Sequence, residues 1–245
     1  MSRFARELVA SHKVRDASGK EYDLNSETSL AQCEFLVELI RRIDARVCLE
    51  VGLAFGVSSL FICDALRDKP GSKLISIDPF QISGYLGIGL QHLESAGCRR
   101  QVEFHERFSH EVLPELLASG VKLDFAYVDS TKVFDVLMVD VYFLSRLLRV
   151  GGILVLDDCV WPGVGKLARY VSKWPHFRIA GVHDRYPVGW RRRAAAALAA
   201  AVPRGNQLFA ERVVNPEDRL GVNGRCVAFE KLGEDERPWQ WFAEF

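Results

Sequence analysis

Residues 47–58 have the sequence Val-Cys-Leu-Glu-Val-Gly-Leu-Ala-Phe-Gly-Val-Ser, an apolar run that is broken by glycine. The pattern predicts a short buried strand, a turn at Gly52 and a helix that begins near Ser58. Gly52 and Gly56 have no Cβ, so the backbone can turn tightly here and approach a ligand closely. Glu50 ends an otherwise apolar strand, and we expect its carboxylate to face a polar partner. The alternative is a strand–turn–helix corner with an incidental acid.

Beyond this corner, short apolar segments alternate with segments of helical periodicity. Further strands are predicted at residues 73–78, 101–105, 123–128, 153–156, 177–182 and 225–231. Helices are predicted at residues 58–66, 81–97, 109–118, 134–149 and 166–174. Strands that alternate with helices at this spacing indicate βαβ units, and therefore a parallel sheet. The last strand alternates in the manner of an edge strand.

Residues 1–45 precede the alternating segments, and residues 184–222 interrupt them. No linker divides the chain, so one domain over residues 1–245 is predicted. Residues 1–45 are expected to form an N-terminal helical cap, in which Ser29 and Gln32 have the spacing of a capping box. Residues 184–222 are expected to be an insertion between the last two strands. It contains an arginine triplet and an alanine-rich helix, which could serve as a lid, a dimer contact or a solvated surface.

Composition excludes several classes of protein. With 245 residues and 49% hydrophobic content, the chain can bury one sizeable core. Lys plus Arg equals Asp plus Glu at 32 each, so charge favours neither a nucleic-acid partner nor an anionic membrane. The six cysteines are scattered singly, which fits a reducing compartment and argues against disulfides or a zinc site. We therefore expect a soluble, cytoplasmic protein without a signal peptide or a membrane span.

Carboxylates follow or end most of the predicted strands: Glu50, Asp78, Asp129, Asp157 and Asp158. In an open parallel sheet, ligands bind at this edge. Asp78 lies at the position that suits hydrogen bonds to ribose hydroxyls. The turn lacks the third glycine of the GxGxxG motif, which argues against an NAD(P)-dependent oxidoreductase, and Glu50 would repel a pyrophosphate. S-adenosylmethionine, which is cationic and has no phosphate, is the better match.

Asp129, Asp157 and Asp158 follow the fourth and fifth strands. Neighbouring strands lie about 4.8 Å apart, so these carboxylates would converge on a volume the size of one ion. They would repel one another unless a cation lay among them. Acidic ligands without histidine favour a hard ion, Mg²⁺ or Ca²⁺, over zinc. The alternative is that Asp157 and Asp158 cap a turn while Asp129 is a solvated strand end.

Five segments, in order, resemble motifs of the class I S-adenosylmethionine-dependent methyltransferases, specifically the divalent-cation-dependent O-methyltransferases. They are residues 49–52 with Gly56 and Ser58, 75–78, 108–110 with 113–114, 128–132, and 156–163. The resemblance covers about residues 28–180 and includes catechol and caffeoyl-type enzymes. It implies a Rossmann-like, doubly wound α/β sheet of about seven mostly parallel strands, with an antiparallel last strand and helices on both faces.

The resemblance also implies roles for single residues. The methionine part of the cofactor would be held at Glu50, Gly52, Gly56 and Ser58, the ribose at Asp78, and the adenine at Ser109 and His110. Asp129, Asp157 and Asp158 would be metal ligands, and Lys132 would match the general base of the catechol enzymes. Two residues depart from that pattern: the catechol enzymes have Asn at the place of Asp158, and many bacterial relatives have His at the place of Lys132. Adjacent acids look more like the sugar O-methyltransferases of antibiotic pathways.

The implied reaction is attack of an acceptor hydroxyl on the sulfonium methyl group, with Mg²⁺ orienting the hydroxyl and Lys132 taking its proton. The acceptor is expected to be a small phenol, catechol or sugar of natural-product metabolism, and a homodimer is left open. Three alternatives stay open. Lys132 could be a surface lysine that balances the acids, a metal-free enzyme could use Lys132 or His110 as its base, and a scaffold could bind the cofactor without catalysis.

Overall fold

The computed structural model describes residues 3–25, 28–202, 208 and 210–244, and its strands form a hairpin and a larger mixed sheet. The strands are β1 (Lys13–Arg15), β2 (Glu21–Asp23), β3 (Val47–Val51), β4 (Lys73–Ile77), β5 (Val102–His105), β6 (Leu123–Val128), β7 (Leu148–Leu156), β8 (Phe177–Arg185) and β9 (Gly224–Lys231). Strands β1 and β2 pair with each other. The other seven lie in the order β5-β4-β3-β6-β7-β9-β8.

Helices cover both faces of this sheet. They are α1 (Arg3–Ser11), α2 (Leu30–Arg42), α3 (Val57–Leu66), α4 (Ile88–Ser95), α5 (Ser109–Ala118), α6 (Phe134–Leu147), α7 (Pro162–Val171), α8 (Trp190–Ala201), α9 (Glu211–Val214) and α10 (Glu217–Leu220). Helices α1 to α4 pack into one apolar cluster, and α5 to α7 pack into another on the opposite face. The predicted doubly wound sheet is confirmed. No helix in the described residues combines the length and the apolar character that a membrane crossing requires.

Strand β3 lies at the centre of the sheet and contributes to both clusters. Cys48 packs on one face, and Leu49 and Val51 pack on the other, because successive side chains of a strand point to opposite faces. The chain runs from β3 outward to β4 and β5, and then crosses to β6 on the other side of β3. The strand order therefore reverses at β3, and a crevice opens at the carboxyl ends of β3, β4 and β6.

Backbone hydrogen bonds extend this parallel ladder one residue beyond the strands. The amide of Gly52 donates to Ile77 (2.9 Å) and that of Asp129 donates to Val51 (3.0 Å). The amide of Asp157 donates to Val128 (3.0 Å). The first residues after the neighbouring strands are thus held side by side at one edge of the sheet.

Strand β7 begins earlier than predicted. It starts at Leu148, directly after helix α6 ends at Leu147, whereas the sequence predicted a helix to residue 149 and a strand from residue 153. Gly151 and Gly152, which lie between those two predicted elements, are part of the strand. A Cβ on Gly152 would lie 3.0 Å from the carbonyl oxygen of Asp124, so glycine permits the close approach of β6 there.

Strand β9 is antiparallel, as predicted, but it is not an edge strand. It lies between β7 and β8 and is antiparallel to both. The edge position belongs to β8, which is only partly buried. The alternating pattern of residues 225–231 wrongly indicated an edge strand, because most of the β9 side chains are buried.

Two further elements differ from prediction. The hairpin of β1 and β2 was not predicted. Helix α7 starts at Pro162, four residues before the predicted start, because proline is well suited to the first turn of a helix. The region expected to be an insertion holds α8, α9 and α10 between β8 and β9.

Asp124 joins three strands at the amino end of the sheet and provides a test of the fold. Its carboxylate accepts hydrogen bonds from the amides of Arg46 and Val47 (2.8 Å each) and from Nε of Arg149 (2.5 Å). Burial works to raise its pKa, but the Val47 amide, the Arg149 guanidinium and the Arg46 amide together lower it. We expect Asp124→Ala to reduce the free energy of unfolding at pH 7 by about 2 kcal/mol, because three donors, two of them in partly buried hydrogen bonds, lose a charged acceptor.

The loss of folding stability in Asp124→Ala should depend on pH. A carboxyl group whose pKa is lowered by folding stabilises the protein above its unfolded pKa, about 4 for Asp, and loses that effect as the pH falls. The difference between the wild type and Asp124→Ala in urea unfolding should therefore shrink below about pH 4. Asp68→Ala, at an exposed turn, is the matched control and should change stability little. A loss for Asp124→Ala no greater than the control's would contradict this role.

Candidate active site

Two adjoining cavities open at the carboxyl edge of the sheet. The cofactor cavity, as we call the first, has a volume of about 510 Å³ and is lined by residues that include Asp78, Phe80, Phe108, Ser109 and His110. The transfer cavity has about 490 Å³, and its lining includes Gly56, Ser58, Asp129, Lys132, Asp157, Asp158 and Trp161. Both volumes are in the range of small-molecule sites. Gly52, Ala54, Tyr85, Asp129 and Ser130 line both cavities.

The glycine loop forms the shared wall. Gly52 has φ +102°, and a Cβ on it would lie 2.0 Å from the carbonyl oxygen of Asp129, so only glycine fits without moving the backbone. Gly56, with φ +79°, precedes helix α3. The two glycines of the motif thus have separate tasks: the first lets β3 approach β6, and the second begins the helix.

Asp78 holds the glycine loop in place as well as facing the cofactor cavity. Its Oδ2 accepts hydrogen bonds from the amides of Leu53 (3.0 Å) and Ala54 (2.8 Å), and its Oδ1 accepts one from Phe80 (2.9 Å). The predicted ribose ligand therefore has a structural role too. Oδ1 accepts one hydrogen bond from the described residues and, as a carboxylate oxygen, can accept another from a ligand hydroxyl.

Glu50 lies beneath the cavities rather than in their walls. Its carboxyl is fully buried and accepts hydrogen bonds from the hydroxyls of Ser58 and Ser59 at the start of α3. Burial raises its pKa to about 8, against the lowering effect of the two serines. The sequence predicted direct contact with the cofactor, whereas in the structure Glu50 reaches the transfer cavity only through Ser58.

Aromatic rings border the cofactor cavity where the sequence placed the adenine. The ring of His110 stacks on that of Phe108 at 5.3 Å, and Phe108 meets Phe80 edge-on at 5.9 Å. Phe80 and Phe108 are both about half exposed. Ser109, between Phe108 and His110 in sequence, is buried at the start of α5. The structure therefore brings Ser109 and His110 to the same cavity as Asp78.

Lys132 connects two of the predicted metal ligands. Its Nζ lies 3.1 Å from Oδ1 of Asp129 and 2.9 Å from Oδ2 of Asp158. Burial opposes the charge, but the two carboxylates raise the pKa of the Lys132 ammonium. Burial and then the charge of Asp157 raise the pKa of Asp129 to about 7, although Lys132 acts against this. Lys132 is thus a partly buried cation that pairs with two of the acids at the site.

Asp157 is buried and surrounded by donors. Its Oδ2 accepts from Nε2 of Gln32 (2.5 Å) and from the hydroxyl of Tyr127 (2.6 Å), and its Oδ1 accepts from the amide of Asp158 (2.6 Å) and from Sγ of Cys226 (3.1 Å). The Tyr127 oxygen also lies 3.4 Å from Oδ2 of Asp129. Asp157 therefore holds the floor of the transfer cavity together.

Several residues of this network were not predicted. Tyr127 could have been found, because it precedes Asp129 by two residues and so points to the same face of β6. Arg225, which lies 3.3 Å from Oδ1 of Asp158, could have been found as well, since an antiparallel β9 begins beside the end of β7. Gln32 gave no such signal. Its amide nitrogen bonds to Ser29 as an N-cap predicts, but its side chain reaches Asp157 instead of completing a capping box.

The three aspartates fit a hard divalent cation in chemistry but not in their present arrangement. Their ligand atoms are carboxylate oxygens, as Mg²⁺ prefers. Among the described residues, however, no group of three or more His, Cys, Asp or Glu side chains is placed to hold a metal ion. The Lys132 ammonium lies between Asp129 and Asp158 and supplies positive charge there. An ion bound by these two carboxylates would have to displace it.

The buried Glu50 yields a testable pH dependence. Its folded pKa of about 8 exceeds the ordinary glutamate value of 4.5, so the folded protein holds a proton that the unfolded chain releases. Stability from this group is present below the unfolded pKa and falls as the pH rises toward the folded one. We expect Glu50→Gln, which keeps a neutral side chain, to gain stability relative to the wild type as the pH rises from 5 to 8.

Denaturant unfolding at several pH values measures this difference. Glu94→Gln, on helix α4, is the control and should show no such trend. A Glu50→Gln difference that is flat over this interval, or that falls with pH, would show that the Glu50 carboxyl is ionised in the folded protein.

Comparison with known proteins gives the family. The family described as a methyltransferase domain matches residues 49–159. A probable caffeoyl-CoA O-methyltransferase of Arabidopsis thaliana is 31% identical over 184 residues, which cover 72% of this chain and 74% of the relative. Tapetum-specific methyltransferase 1 of the same plant is 32% identical over 167 residues, covering 65% and 67%.

A solved structure shares the fold. It is the O-methyltransferase TomG from Streptomyces achromogenes, involved in tomaymycin synthesis and solved in complex with S-adenosylmethionine. Its TM-score is 0.64 at 20% identity, with 95% of this chain and 91% of that chain covered. Together with the sequence relatives, this shows that the chain belongs to the class I S-adenosylmethionine-dependent O-methyltransferases.

Proposed function

We propose that this methyltransferase moves the methyl group of S-adenosylmethionine to a hydroxyl of a small molecule of natural-product metabolism, and that the transfer takes place at the wall between the two cavities. The wall that the two cavities share supports this proposal. Gly52 and Asp129 border both cavities, so a cofactor in one can present its methyl group to an acceptor in the other.

The residues of the cofactor cavity suit the parts of S-adenosylmethionine. The adenine would lie against the aromatic rings of Phe108 and His110, and a ribose hydroxyl would bond to Oδ1 of Asp78. The methionine part would follow the glycine loop toward Ser58, whose hydroxyl is fixed by Glu50. In this arrangement Glu50 is a positioning residue, because a serine hydroxyl lies between it and the cavity.

Lys132 and Asp129 would have different roles at the acceptor hydroxyl. The raised pKa keeps Lys132 protonated at neutral pH, so its ammonium can donate a hydrogen bond to the acceptor oxygen and orient it. Asp129 has a pKa of about 7, which is near the value that favours a general base at neutral pH. In the absence of a metal ion, we therefore assign proton removal to Asp129 and orientation to Lys132. This reverses the expectation from the catechol enzymes.

The proposal includes Mg²⁺ only because the three aspartates offer the carboxylate oxygens that this ion prefers. Asp129, Asp157 and Asp158 would hold it, and a bound ion would lower the pKa of the acceptor hydroxyl. Because Lys132 already neutralises two of these carboxylates, a metal-independent transfer is the second candidate. In that case the Lys132 ammonium supplies the positive charge beside the acceptor.

The experiment is a methyl-transfer assay with labelled S-adenosylmethionine and a panel of catechols and sugars. Each acceptor is tested with Mg²⁺, with EDTA, and with Mg²⁺ restored after EDTA. Activity that disappears with EDTA and returns with Mg²⁺ supports the metal-assisted reaction. Activity that EDTA leaves intact supports the metal-independent one. A protein that binds the cofactor yet methylates no hydroxyl, while methylating amines or thiols, would contradict O-methylation.

Lys132→Met separates the two candidates further. We expect it to lower kcat by about 100-fold, since oriented acid–base groups contribute factors of this order. Without the competing ammonium, the aspartates should bind Mg²⁺ more tightly, by about tenfold for a change of about 1.4 kcal/mol. Calorimetric titration of Mg²⁺ into the S-adenosylhomocysteine complex measures this. Lys122→Met, at the opposite end of β6, is the control and should change neither value.

Either of two results would contradict this assignment. If Lys132→Met retains full kcat, the ammonium does not orient the acceptor. If the variant binds Mg²⁺ no more tightly than the wild type does, Lys132 and the metal do not share the carboxylates.

A further inference from the structure

The left-handed backbone of Ala54 is the unusual feature of the glycine loop. Ala54 has φ +46°, a conformation that glycine adopts freely but that costs an alanine energy, because its Cβ comes close to a carbonyl oxygen. Gly52 and Gly56, in the same loop, also have positive φ and carry no such cost. Ala54 lines both the cofactor cavity and the transfer cavity. Residues in such conformations persist only where their surroundings hold them, and they are common at ligand sites.

Two side chains hold the peptide groups on either side of the Ala54 Cα atom. The amide N–H of Ala54 donates to Oδ2 of Asp78 (2.8 Å), and its carbonyl oxygen accepts from Nε2 of Gln81 (2.8 Å). The first hydrogen bond fixes the peptide plane before Cα, and the second fixes the plane after it. The two dihedral angles of Ala54, φ and ψ, are therefore set by Asp78 and Gln81 together.

Gln81 is itself held between the glycine loop and helix α4. It is fully buried, and its Oε1 accepts the amide N–H of Gly89 (3.0 Å) in the first turn of α4. Because one partner is a main-chain carbonyl and the other a main-chain amide, only one orientation of the side-chain amide satisfies both. The main-chain carbonyl of Gln81 also accepts the amide of Gly87 (2.8 Å). Gln81 thus has a fixed side chain from which it holds the loop.

Helix α4 comes very close to the loop at this point. A Cβ on Gly89 would lie 2.5 Å from the carbonyl oxygen of Ala54. The next carbonyl oxygen, that of Phe55, lies 2.8 Å from Nδ1 of His92, which is buried one turn further along α4. Since a carbonyl only accepts hydrogen bonds, that nitrogen carries a proton. Two successive carbonyls of the loop are therefore bound by buried side chains.

From this geometry we infer that Gln81 is a positioning residue for the cofactor. It holds Ala54 in the left-handed conformation and so keeps the wall between the two cavities in the shape that binds S-adenosylmethionine. Gln81 is not among the described residues that line either cavity, so it acts through Ala54 rather than by contact with the ligand. The link to the cofactor rests on the proposed function, whereas the hold of Gln81 on Ala54 does not.

Loss of the Gln81 side chain would allow Ala54 to leave the left-handed region. The loop would then spend part of its time in a shape that does not bind the cofactor, and the affinity would fall with the fraction of molecules in the binding shape. A glycine at position 54 has no preference against positive φ, so it should raise that fraction again. Recovery of affinity by Ala54→Gly therefore distinguishes positioning from a general contribution of Gln81 to stability.

The experiment is calorimetric titration of S-adenosylhomocysteine into the wild type, Gln81→Met, Ala54→Gly, the double variant and Gln91→Met. Methionine keeps the approximate size of Gln81 but forms neither hydrogen bond. Gln91 is exposed on α4 and is the matched control. Amide hydrogen exchange of Ala54, followed by nuclear magnetic resonance in the cofactor-free proteins, reports on the loop directly. Urea unfolding gives the stability of each protein.

We expect Gln81→Met to weaken S-adenosylhomocysteine at least about fivefold, and to speed exchange of the Ala54 amide by a similar factor because the bond to Asp78 also needs the left-handed conformation. Ala54→Gly should strengthen binding in the Gln81→Met background at least about threefold more than in the wild type. Gln91→Met should change neither affinity nor exchange. If Gln81→Met does not fold, Gly89→Ala, whose Cβ would displace the Ala54 carbonyl, should weaken binding at least about fivefold.

Three results would overturn the inference. The first is an affinity of Gln81→Met equal to that of the wild type, even with a lower free energy of unfolding, since Gln81 would then serve stability alone. The second is an Ala54 amide that exchanges no faster in Gln81→Met, and the third is a loss of affinity that Ala54→Gly does not recover. If the wild type does not bind S-adenosylhomocysteine, the proposed function fails, and the exchange of the Ala54 amide still decides whether Gln81 holds the loop.

Discussion

The close approach of Gly52 to the backbone carbonyl of Asp129 is the constraint on which the site depends. Any Cβ at Gly52 would lie 2.0 Å from that oxygen, so the ends of β3 and β6 can meet only through glycine. Their meeting gives the cofactor cavity and the transfer cavity a common wall. Asp78 fixes the loop that follows, because its carboxylate binds the amides of Leu53 and Ala54. The backbone therefore sets the shape of the wall that the two cavities share.

The acids around this wall differ because their surroundings differ. Glu50 is buried beneath two serine hydroxyls and takes up a proton easily, whereas Asp157 is satisfied by four donors. Asp129 lies between these extremes, close to Asp157 and paired with Lys132. Carboxylates near equivalent strand ends thus have different surroundings: Glu50 bonds to the start of helix α3, Asp157 holds the floor of the transfer cavity, and Asp129 is paired with Lys132.

Much of the fold could be predicted because it depends on local patterns. The apolar run before Gly52 and the alternation of strands with helices are enough to indicate a doubly wound sheet, and its parallel register brings Asp129 and Asp157 together. The position of β9 could not be predicted in this way, since the strand order is decided by long-range pairing with β7 and β8. Sequence patterns also failed for Gln32, whose contact with Asp157 spans 125 residues. The functional roles of the site residues stay predictions, including the metal ligands that resemblance implied.

We propose that the glycine loop and Asp129 form one preorganised wall for the cofactor. Calorimetric titration of S-adenosylhomocysteine into the wild type, Gly52→Ala and Gly120→Ala tests it most directly. Gly120 also has positive φ (+76°), but a Cβ there would meet no atom within 4 Å, so this variant controls for backbone strain alone. We predict one bound molecule per chain in the wild type, similar affinity in Gly120→Ala, and affinity at least about tenfold lower in Gly52→Ala. Equal affinity in all three proteins, or no binding to the wild type, would contradict the account.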